Sequence, residues 1–412
     1  MSNKFNIDYL LKKIKIDNLF KKSNIYYIIF LIFIIPFFKP YYFTHFGVSV
    51  VNFVYLNGLR IIFLTVLFIY IIKNRRNRLS KFIIMLLAFY STKAISTIIN
   101  NGSISALITE IYPALGICLL IELGLQERFK ELINAFATVL SILTLINFII
   151  MILNPHGYHD IEKVIYFMGY RNQLAPLYIL TILMLEIRNN YFPKKYGKIQ
   201  LVLILIICTF MILYAGSGSN IIAWIPIVFY YITPFFSRYS NIFNIKSYVI
   251  FYISLFFGII FLNIHELFSE LLFLFLGKDV TFSGRTLLWN EAIKMIKDRP
   301  LIGYGMADSY NRVRYPISGT YLSAHNQFIQ LIIEGGFISF FAFGYVAYVT
   351  FKKLYDFKDT HASKILSLGI FTIAIVLFSE AMGFFYILIL FAFSDNIDKI
   401  AKTPVISSNL RN

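Results

Sequence analysis

The chain has 412 residues, of which 58% are hydrophobic and only 14% are charged, and its mean hydropathy is +0.71. A soluble domain of this size carries charge on about a quarter of its residues, so the composition excludes an ordinary soluble enzyme. The net charge of +17 would suggest nucleic acid in a soluble protein, but the sequence contains no basic binding groove, and we expect no nucleic-acid partner.

Apolar runs of about 17 to 25 residues recur along almost the whole chain, which is the length that an α-helix needs to cross a bilayer. Backbone groups in lipid must be satisfied internally, and this requirement favours helices. The predicted fold is all-α, a polytopic membrane bundle of about twelve transmembrane helices with a long outer loop that contains a surface helix. The predicted spans are residues 25–43, 52–72, 82–99, 104–123, 133–153, 174–187, 199–214, 220–236, 247–264, 327–351, 365–379 and 382–393.

The distribution of positive charge predicts the topology. Placing the N-terminus in the cytoplasm puts most of the 38 Lys and Arg residues on the inner side, as the positive-inside rule requires. With an even number of spans both termini are then cytoplasmic, and we expect a basic leader (1–24), one membrane domain (25–398) and a tail (399–412). The leader either lies on anionic lipid as an amphipathic segment or is a partly ordered tail, and we expect no cleavable signal peptide.

The predicted outer loop at 265–325 is rich in apolar and aromatic residues. Apolar side chains recur at spacings of three and four from Trp289 to Ile296, between a cap at Ser283 and a stop at Pro300. This pattern predicts an amphipathic helix on the outer membrane surface. Two glycines then indicate a turn, and the tyrosines of the following connection suit either the lipid interface or sugar rings.

Arg285 is the first candidate site residue. It lies four residues before Trp289, so the two share one face of the predicted surface helix. A guanidinium group fits phosphate oxygens with two parallel hydrogen bonds and stays charged at any relevant pH. Two structural interpretations stay open: Arg285 anchors the helix to lipid headgroups, or it pairs with Glu291 or Asp279.

His325 is the second candidate, with Asn326 beside it, directly before the predicted span at 327–351. The positive end of a helix dipole at this position favours a neutral imidazole, which could act as a base. Histidine is the side chain best suited to proton transfer near neutral pH. The alternative is a histidine that only helps to cap the helix.

Further cations are candidates for binding an anion. Arg171 precedes the predicted sixth span on the same aqueous side, and Arg312 and Arg314 lie in the long outer loop. Arg60 and Lys93 fall inside predicted spans, where a charge is costly and usually has a function. Arg60 either extends to the interface or points into a cavity.

The absence of several sequence motifs narrows the chemistry. The sequence contains no P-loop, haem motif, zinc-ligand spacing or GxSxG elbow, so we expect no cofactor and no metal. The predicted first outer loop, 39–51, contains no Asp or Glu. Many membrane glycosyltransferases that use polyprenyl-phosphate sugars rely on an acidic residue there, and this argues against that class.

The chain resembles the O-antigen polymerase and O-antigen ligase superfamily of bacterial surface-polysaccharide assembly. One feature of the resemblance is a long outer loop late in a chain of about a dozen spans. The motifs that carry it are Gly284 and Arg285 followed by Trp289, the PLIGYG turn at 300–305, and the segment that contains His325, Asn326, Glu334 and Gly335.

The resemblance implies transfer of an oligosaccharide from undecaprenyl diphosphate to a hydroxyl of another glycan, outside the bacterial cytoplasmic membrane. It implies that Arg285 and Arg171 bind the diphosphate of the donor and that His325 accepts the proton of the attacking hydroxyl. Inversion at the anomeric carbon is then expected. The implied partners are the lipid-linked oligosaccharide, membrane lipids, a chain-length regulator and a flippase.

Two alternatives to a polymerase stay open. A ligase of the same superfamily would need a lipid A core as acceptor, whereas polymerases also serve capsules of single-membrane bacteria with AT-rich genomes, which this composition resembles. A non-enzymatic flippase for lipid-linked oligosaccharides would line a central cavity with cations, and here only Arg60 and Lys93 are candidates for such a lining.

Overall fold

The computed structural model describes residues 22–45, 49–74, 79–160, 163–233, 242–260, 285–307 and 312–403. Helices make up 79% of these residues and there is almost no sheet, so the predicted all-α class is confirmed. Within these described ranges, seven helices are long and apolar enough to cross a membrane, and four shorter helices are also apolar. The count of twelve spans stays a prediction.

The helices follow the predicted spans in order. The helices are α1 (Lys22–Ile34), α2 (Tyr41–His45), α3 (Ser49–Lys73), α4 (Lys81–Ile99), α5 (Ile104–Glu127), α6 (Phe129–Leu153), α7 (Ala175–Tyr191), α8 (Gly197–Ala215), α9 (Gly218–Ile232), α10 (Ile245–Ile260), α11 (Arg285–Asp298), α12 (Gln327–Asp356), α13 (His361–Ser379), α14 (Phe385–Asp395) and α15 (Ile397–Lys402). The strands are β1 (Tyr158–Asp160), β2 (Lys163–Tyr166), β3 (Gly169–Tyr170), β4 (Val313–Arg314) and β5 (Tyr321–Leu322).

The first predicted span, 25–43, is not one continuous helix. Helix α1 ends at Ile34, a 3-10 turn covers Ile35–Phe38, and α2 begins at Tyr41. Pro36 lies within the 3-10 turn and Pro40 directly precedes α2. Proline lacks the backbone N–H of a helical hydrogen bond and clashes with the preceding turn, so the two prolines divide the segment.

The core of the bundle consists of α7, α13 and α14. Nearly every side chain of these three helices is buried, and α13 packs against α7, α9, α10, α12 and α14. A helix that is apolar on all sides must be surrounded by other helices, which explains the central position of α13. The residue after α13, Glu380, is therefore held in the interior of the protein.

Helix α12 is broken at Gly336, which has a φ of 65° and a ψ of −174°. The segment 300–305, called the glycine turn below, packs against this break. The backbone N–H of Phe337 donates to the carbonyl of Pro300 at 2.8 Å, and the N–H of Tyr304 donates to the carbonyl of Ile333 at 2.7 Å. The turn thus takes over backbone groups that the broken helix leaves unpaired, as the interior of a membrane protein requires.

Two glycines make this close approach sterically feasible. A Cβ at Gly336 would collide with the carbonyl of Leu301, and a Cβ at Gly303 would collide with the carbonyl of Ile333. Both residues also have positive φ, which glycine adopts without strain. The turn predicted from Gly303 and Gly305 is present, and it attaches the end of α11 to α12 at its break.

Helix α11 buries its apolar face against the protein. Leu288, Trp289 and Ala292 form a small cluster with Ile329 and Ile333 of α12 and with other apolar side chains. The predicted amphipathic helix exists, and its apolar face is covered by α12 instead of being left for lipid. Its position relative to the membrane surface stays a prediction.

Two small sheets lie in the predicted outer loops. Strands β1, β2 and β3 form an antiparallel sheet in the loop between α6 and α7, and β4 pairs with β5 before α12. The first sheet packs on α2 through a hydrogen bond of 2.6 Å between the hydroxyls of Tyr41 and Tyr170. These contacts fix the loop that leads into the 3-10 turn at Arg171–Gln173.

Candidate active site

Three ionisable side chains from distant parts of the chain meet at the C-terminal end of α13. Nη2 of Arg285 lies 2.7 Å from Oε1 of Glu380, and Nδ1 of His325 lies 3.6 Å from Oε2 of the same carboxylate. The side chain of Glu380 is 6% exposed, that of Arg285 17% and that of His325 28%. The two residues predicted to carry the chemistry are thus brought together by a carboxylate, and we call the three the Arg285–Glu380–His325 cluster.

Trp289 fixes Arg285 relative to His325. Arg285 begins α11, and Trp289 follows one turn later with its indole buried. The indole Nε1 donates a hydrogen bond of 3.0 Å to the carbonyl of Ala324, the residue before His325. Its ring also contacts Phe378 edge-on, with 5.5 Å between ring centroids. Trp289 therefore connects the helix that carries the cation to the segment that carries the imidazole.

The backbone at His325 is held in an unusual conformation. His325 has a φ of 45°, and only Asn101 shares a positive φ among the described residues other than glycine. Such a conformation costs free energy, and in proteins it is common at functional sites. Asn326, the residue after His325, is the N-cap of α12. Its side-chain oxygen accepts hydrogen bonds from the N–H groups of Phe328 and Ile329 at 3.0 and 3.1 Å.

A chain of buried polar side chains extends from the cluster into α12 and α4. Oε1 of Gln330 accepts the N–H of Ala324 at 3.1 Å, and Nε2 of Gln330 donates to Glu334 at 2.9 Å. Glu334 lies 3.1 Å from Nζ of Lys93, which also lies 2.7 Å from Glu110. Lys93, for which a position inside a predicted span suggested a function, is therefore neutralised by two carboxylates and stabilises the broken helix α12.

The chain directly after His325 is hydrogen-bonded to the segment after Glu380. Oε1 of Gln327 accepts the N–H of Gly383 at 2.7 Å. Gly383 also lines a cavity of about 470 Å³ together with Lys39, Glu110, Met306 and aromatic side chains. The cavity thus begins next to the segment that connects Glu380 to α14, and it has room for part of a substrate.

The remaining predicted arginines do not contact the cluster. Arg171 is exposed in the 3-10 turn before α7, and its carbonyl accepts Nδ2 of Asn220 at 2.7 Å. Nη1 of Arg312 donates to the carbonyl of Tyr304 at 3.0 Å, and burial lowers the pKa of this guanidinium. Arg314 is exposed on β4. Their roles in substrate binding stay predictions.

The structure bears on the alternatives for Arg285 and Arg60. Glu291 pairs with Lys294 at 2.6 Å, and Arg285 pairs with Glu380 instead. The other partner considered, Asp279, lies outside the described residues. Arg60 is exposed on α3, which agrees with a side chain that extends from the helix surface and not with one that points into a protein cavity.

Glu380 is the residue of the cluster that the sequence interpretation missed. It follows the apolar run 365–379 and precedes the run 382–393, so it is an acidic residue between two apolar segments. An ionisable residue in such a place is a functional candidate by default, and this signal was available. The sequence did not show that Glu380 contacts Arg285 and His325, which lie 95 and 55 positions earlier in the chain.

The comparisons with known proteins match one part of the chain. Residues 201–344 match a family model described as O-Antigen ligase. The match runs from α8 into α12 and includes Arg285 and His325, whereas Arg171 and Glu380 lie outside it. No curated protein and no solved structure matches the chain.

Proposed function

We propose that this chain is a polysaccharide polymerase. The family match supports the O-antigen polymerase and O-antigen ligase superfamily. The proposed polymerase transfers an oligosaccharide from undecaprenyl diphosphate onto a hydroxyl of another lipid-linked repeat unit at the outer face of the bacterial cytoplasmic membrane. The observation that carries the proposal is the convergence of Arg285 and His325 on one buried carboxylate. A fixed cation beside a histidine is what displacement of a diphosphate by an alcohol needs.

The proposed reaction is a single displacement. The hydroxyl oxygen of the acceptor attacks the anomeric carbon of the donor sugar and forms the new glycosidic bond. The bond from that carbon to the diphosphate oxygen breaks, and undecaprenyl diphosphate leaves with the electron pair. His325 takes the hydroxyl proton, and Arg285 stabilises the negative charge that develops on the diphosphate. Direct attack from the opposite side inverts the anomeric carbon.

Arg285 has hydrogen-bonding capacity left for a phosphate. A guanidinium group has five N–H donors, and the hydrogen bond to Glu380 uses one of them. Among the described residues no other acceptor contacts this guanidinium, so we assign its remaining donors to phosphate oxygens. They would stabilise the negative charge that develops on the leaving diphosphate without a metal cofactor. We assign the exposed Arg171, together with Arg312 and Arg314, to further contacts with the donor.

The remaining residues of the proposed site act by holding its geometry. Trp289 keeps α11 in register with the segment before His325 through its hydrogen bond to Ala324. Asn326 keeps the imidazole at the N-terminus of α12 by capping that helix. Both side chains are buried, so we expect their loss to lower the rate mainly through misplacement of His325 and Arg285.

We place the protein in the membrane as one domain, 25–398, flanked by cytoplasmic segments. A flippase would deliver its substrate and a chain-length regulator would act with it. A flippase function for this chain itself is less well supported. Among the described residues, Lys93 is neutralised by Glu110 and Glu334 and Arg60 is exposed, so neither gives a cavity a free positive charge.

A ligase function is the second candidate, because the matching family model is described as O-Antigen ligase. The two functions differ only in the acceptor: a lipid-linked repeat unit for the polymerase and a lipid A core for the ligase. Purified protein supplied with each acceptor in turn distinguishes them. Extension of the lipid-linked repeat unit supports the polymerase, whereas transfer to lipid A core alone supports the ligase.

The proposal is tested in cells by replacing Arg285 and His325 one at a time with alanine. We expect both variants to reach the membrane in normal amounts and to display single repeat units in place of long polymer. His361→Ala is the matched control, because His361 pairs with Glu186 at the opposite end of α13. Polymer of normal length in either site variant would refute the proposal.

A further inference from the structure

Glu380 occupies a position that is unfavourable for a carboxylate. It is the C-cap of α13, where the negative end of the helix dipole disfavours an anion, and it is buried at the end of an apolar helix. An apolar residue would suit the packing there. The carboxylate is retained next to Arg285 and His325, and this points to a role in the site rather than in the stability of α13.

The two oxygens of Glu380 face two different groups. Oε1 accepts the hydrogen bond from Nη2 of Arg285 at 2.7 Å. Oε2 lies 3.6 Å from Nδ1 of His325, which is too far for a hydrogen bond but leaves the carboxylate as the nearest anion to that nitrogen in the described structure. Nδ1 is buried without any hydrogen-bond partner among the described residues.

A carboxylate beside Nδ1 decides which ring nitrogen carries the proton. In a neutral imidazole one nitrogen is a donor and the other is an acceptor, and a neighbouring carboxylate favours the proton on the nitrogen that it faces. With the proton on Nδ1, the lone pair of Nε2 is available for a hydroxyl. A small closing movement of the side chains would turn the 3.6 Å contact into a hydrogen bond, as often occurs when substrate binds.

We propose that Glu380 is the positioning residue of the site, since one carboxylate orients both the phosphate-binding arginine and the base. This inference rests on the function proposed above. Glu380 holds the guanidinium of Arg285 against the donor diphosphate through Oε1. Through Oε2 it keeps the proton on Nδ1 of His325, so that Nε2 removes the acceptor proton, and it stabilises the imidazolium that forms.

The protein contains a matched pair for comparison. Oε1 of Glu186 lies 3.0 Å from Nε2 of His361, the first residue of α13, so α13 has a His–Glu pair at each end. The Glu186 pair is at the end predicted to face the cytoplasm, away from Arg285. Glu186→Gln therefore makes the same chemical change as Glu380→Gln without touching the cluster.

The kinetic test uses purified full-length protein in liposomes, with a synthetic undecaprenyl-diphosphate-linked repeat unit as donor and acceptor. In Glu380→Gln the amide oxygen still accepts from Arg285, so we expect kcat to fall about 100-fold with the KM for the lipid-linked unit nearly unchanged. In Glu380→Ala both contacts are lost, and the KM for the lipid-linked unit rises as well. Glu380→Asp keeps the charge and recovers part of kcat, and Glu186→Gln stays within about twofold of the wild type.

A spectroscopic test does not depend on activity. In ¹⁵N NMR of histidine-labelled protein, the His325 ring signals are assigned by their loss in His325→Gln. We expect the neutral ring to carry its proton on Nδ1 in the wild type and to become a mixture of both tautomers in Glu380→Gln. A proton on Nε2 in the wild type would overturn the inference even if a Glu380 variant failed to fold.

The outcomes separate this inference from the function beneath it. If wild-type protein does not extend the lipid-linked unit or transfer it to lipid A core, the proposed function fails, and the tautomer of His325 still decides the role of Glu380. If wild-type protein is active and Glu380→Gln keeps kcat within about twofold, Glu380 is not a positioning residue.

Discussion

Arg285 has to serve two anions at once, the carboxylate of Glu380 and the diphosphate of the donor. Its planar group can give one N–H to Glu380, as the 2.7 Å contact shows, and direct others toward phosphate oxygens. A lysine carries the same charge but has a compact ammonium group without this fork. The shape of the side chain is therefore expected to matter as much as its charge.

Arg285→Lys should lower chain extension about 100-fold or more, because a point charge cannot bind Glu380 and the diphosphate together. The measurement is the release of undecaprenyl diphosphate by purified protein in liposomes. Arg299→Lys is the control, since Arg299 lies beyond the end of α11 and stacks on Tyr304 instead of contacting the cluster. Equal losses in both variants would assign Arg285 to general packing or lipid anchoring.

Local patterns in the sequence identified Arg285 and His325 as candidates, an arginine one turn before a tryptophan and a histidine before a helix, and their roles stay predictions. The sequence was not sufficient for Glu380, whose importance appears only when α13 is placed beside α11 and α12. The buried position of Trp289 was also hidden, because its spacing fits a lipid-facing helix as well as one that packs on protein.

At the scale of elements, the glycine turn and the break in α12 depend on each other. The break at Gly336 frees backbone groups, and the turn at 300–305 binds them. The same contacts hold the C-terminal end of α11, whose first residue is Arg285. Disruption of the break should therefore affect the site without touching any of its side chains.

Gly336→Ala should destabilise the protein and lower its activity. The backbone conformation of Gly336 costs any other residue on the order of 1–3 kcal/mol, and the added Cβ collides with the carbonyl of Leu301. Gly344→Ala, in the same helix, has no atom within 4 Å of the added Cβ and should leave stability unchanged or slightly raised. Thermal unfolding in detergent checks both, and indistinguishable midpoints would contradict the account of the break.

Lys93 and its two carboxylates should be a major brace between α4 and α12. Lys93→Met leaves Glu334 and Glu110 without their cation, and loss of one partner of a buried pair typically costs about 3–5 kcal/mol. Lys294→Met is the control, because Lys294 is 71% exposed in its pair with Glu291 and its loss should cost about 1 kcal/mol or less. The unfolding midpoints of the two variants give the comparison, and equal shifts would argue against a structural brace at Lys93.

The helices and their breaks differ in how far the sequence pattern predicts them. The long apolar runs gave the order and approximate bounds of the helices, because length and hydropathy are local properties. The chemistry of proline could have predicted the division of the first span at Pro36, but the apolar run around this residue was interpreted as one span. The break at Gly336 was not readable, because it depends on a turn that packs there from elsewhere in the chain.

At the scale of the whole molecule, the account requires the cluster to face the outside of the membrane. The positive-inside rule predicts this orientation, with the loop before α12 outside and the connection between α12 and α13 inside. Both native cysteines, Cys118 and Cys208, are buried, so single exposed cysteines can report on the topology. Ser318 and Asp359 are exposed positions in these two loops.

A membrane-impermeant maleimide should label Ser318→Cys in intact spheroplasts and Asp359→Cys only after the membrane is opened. The expected result follows from the distribution of Lys and Arg along the chain. Unmodified protein, which has only the two buried cysteines, gives the background. Labelling of Asp359→Cys in intact spheroplasts, without labelling of Ser318→Cys, would place the cluster on the cytoplasmic side and remove the lipid-linked substrate from its reach.

The measurement that tests the central claim most directly is chain extension by purified protein in liposomes that contain a synthetic undecaprenyl-diphosphate-linked repeat unit. We predict a ladder of longer lipid-linked products for wild-type protein and for His361→Gln. For His325→Gln and Arg285→Ala we predict no product beyond the starting unit. A ladder of normal length from either of these two variants would contradict the claim that Arg285 and His325 form one glycosyl-transfer site.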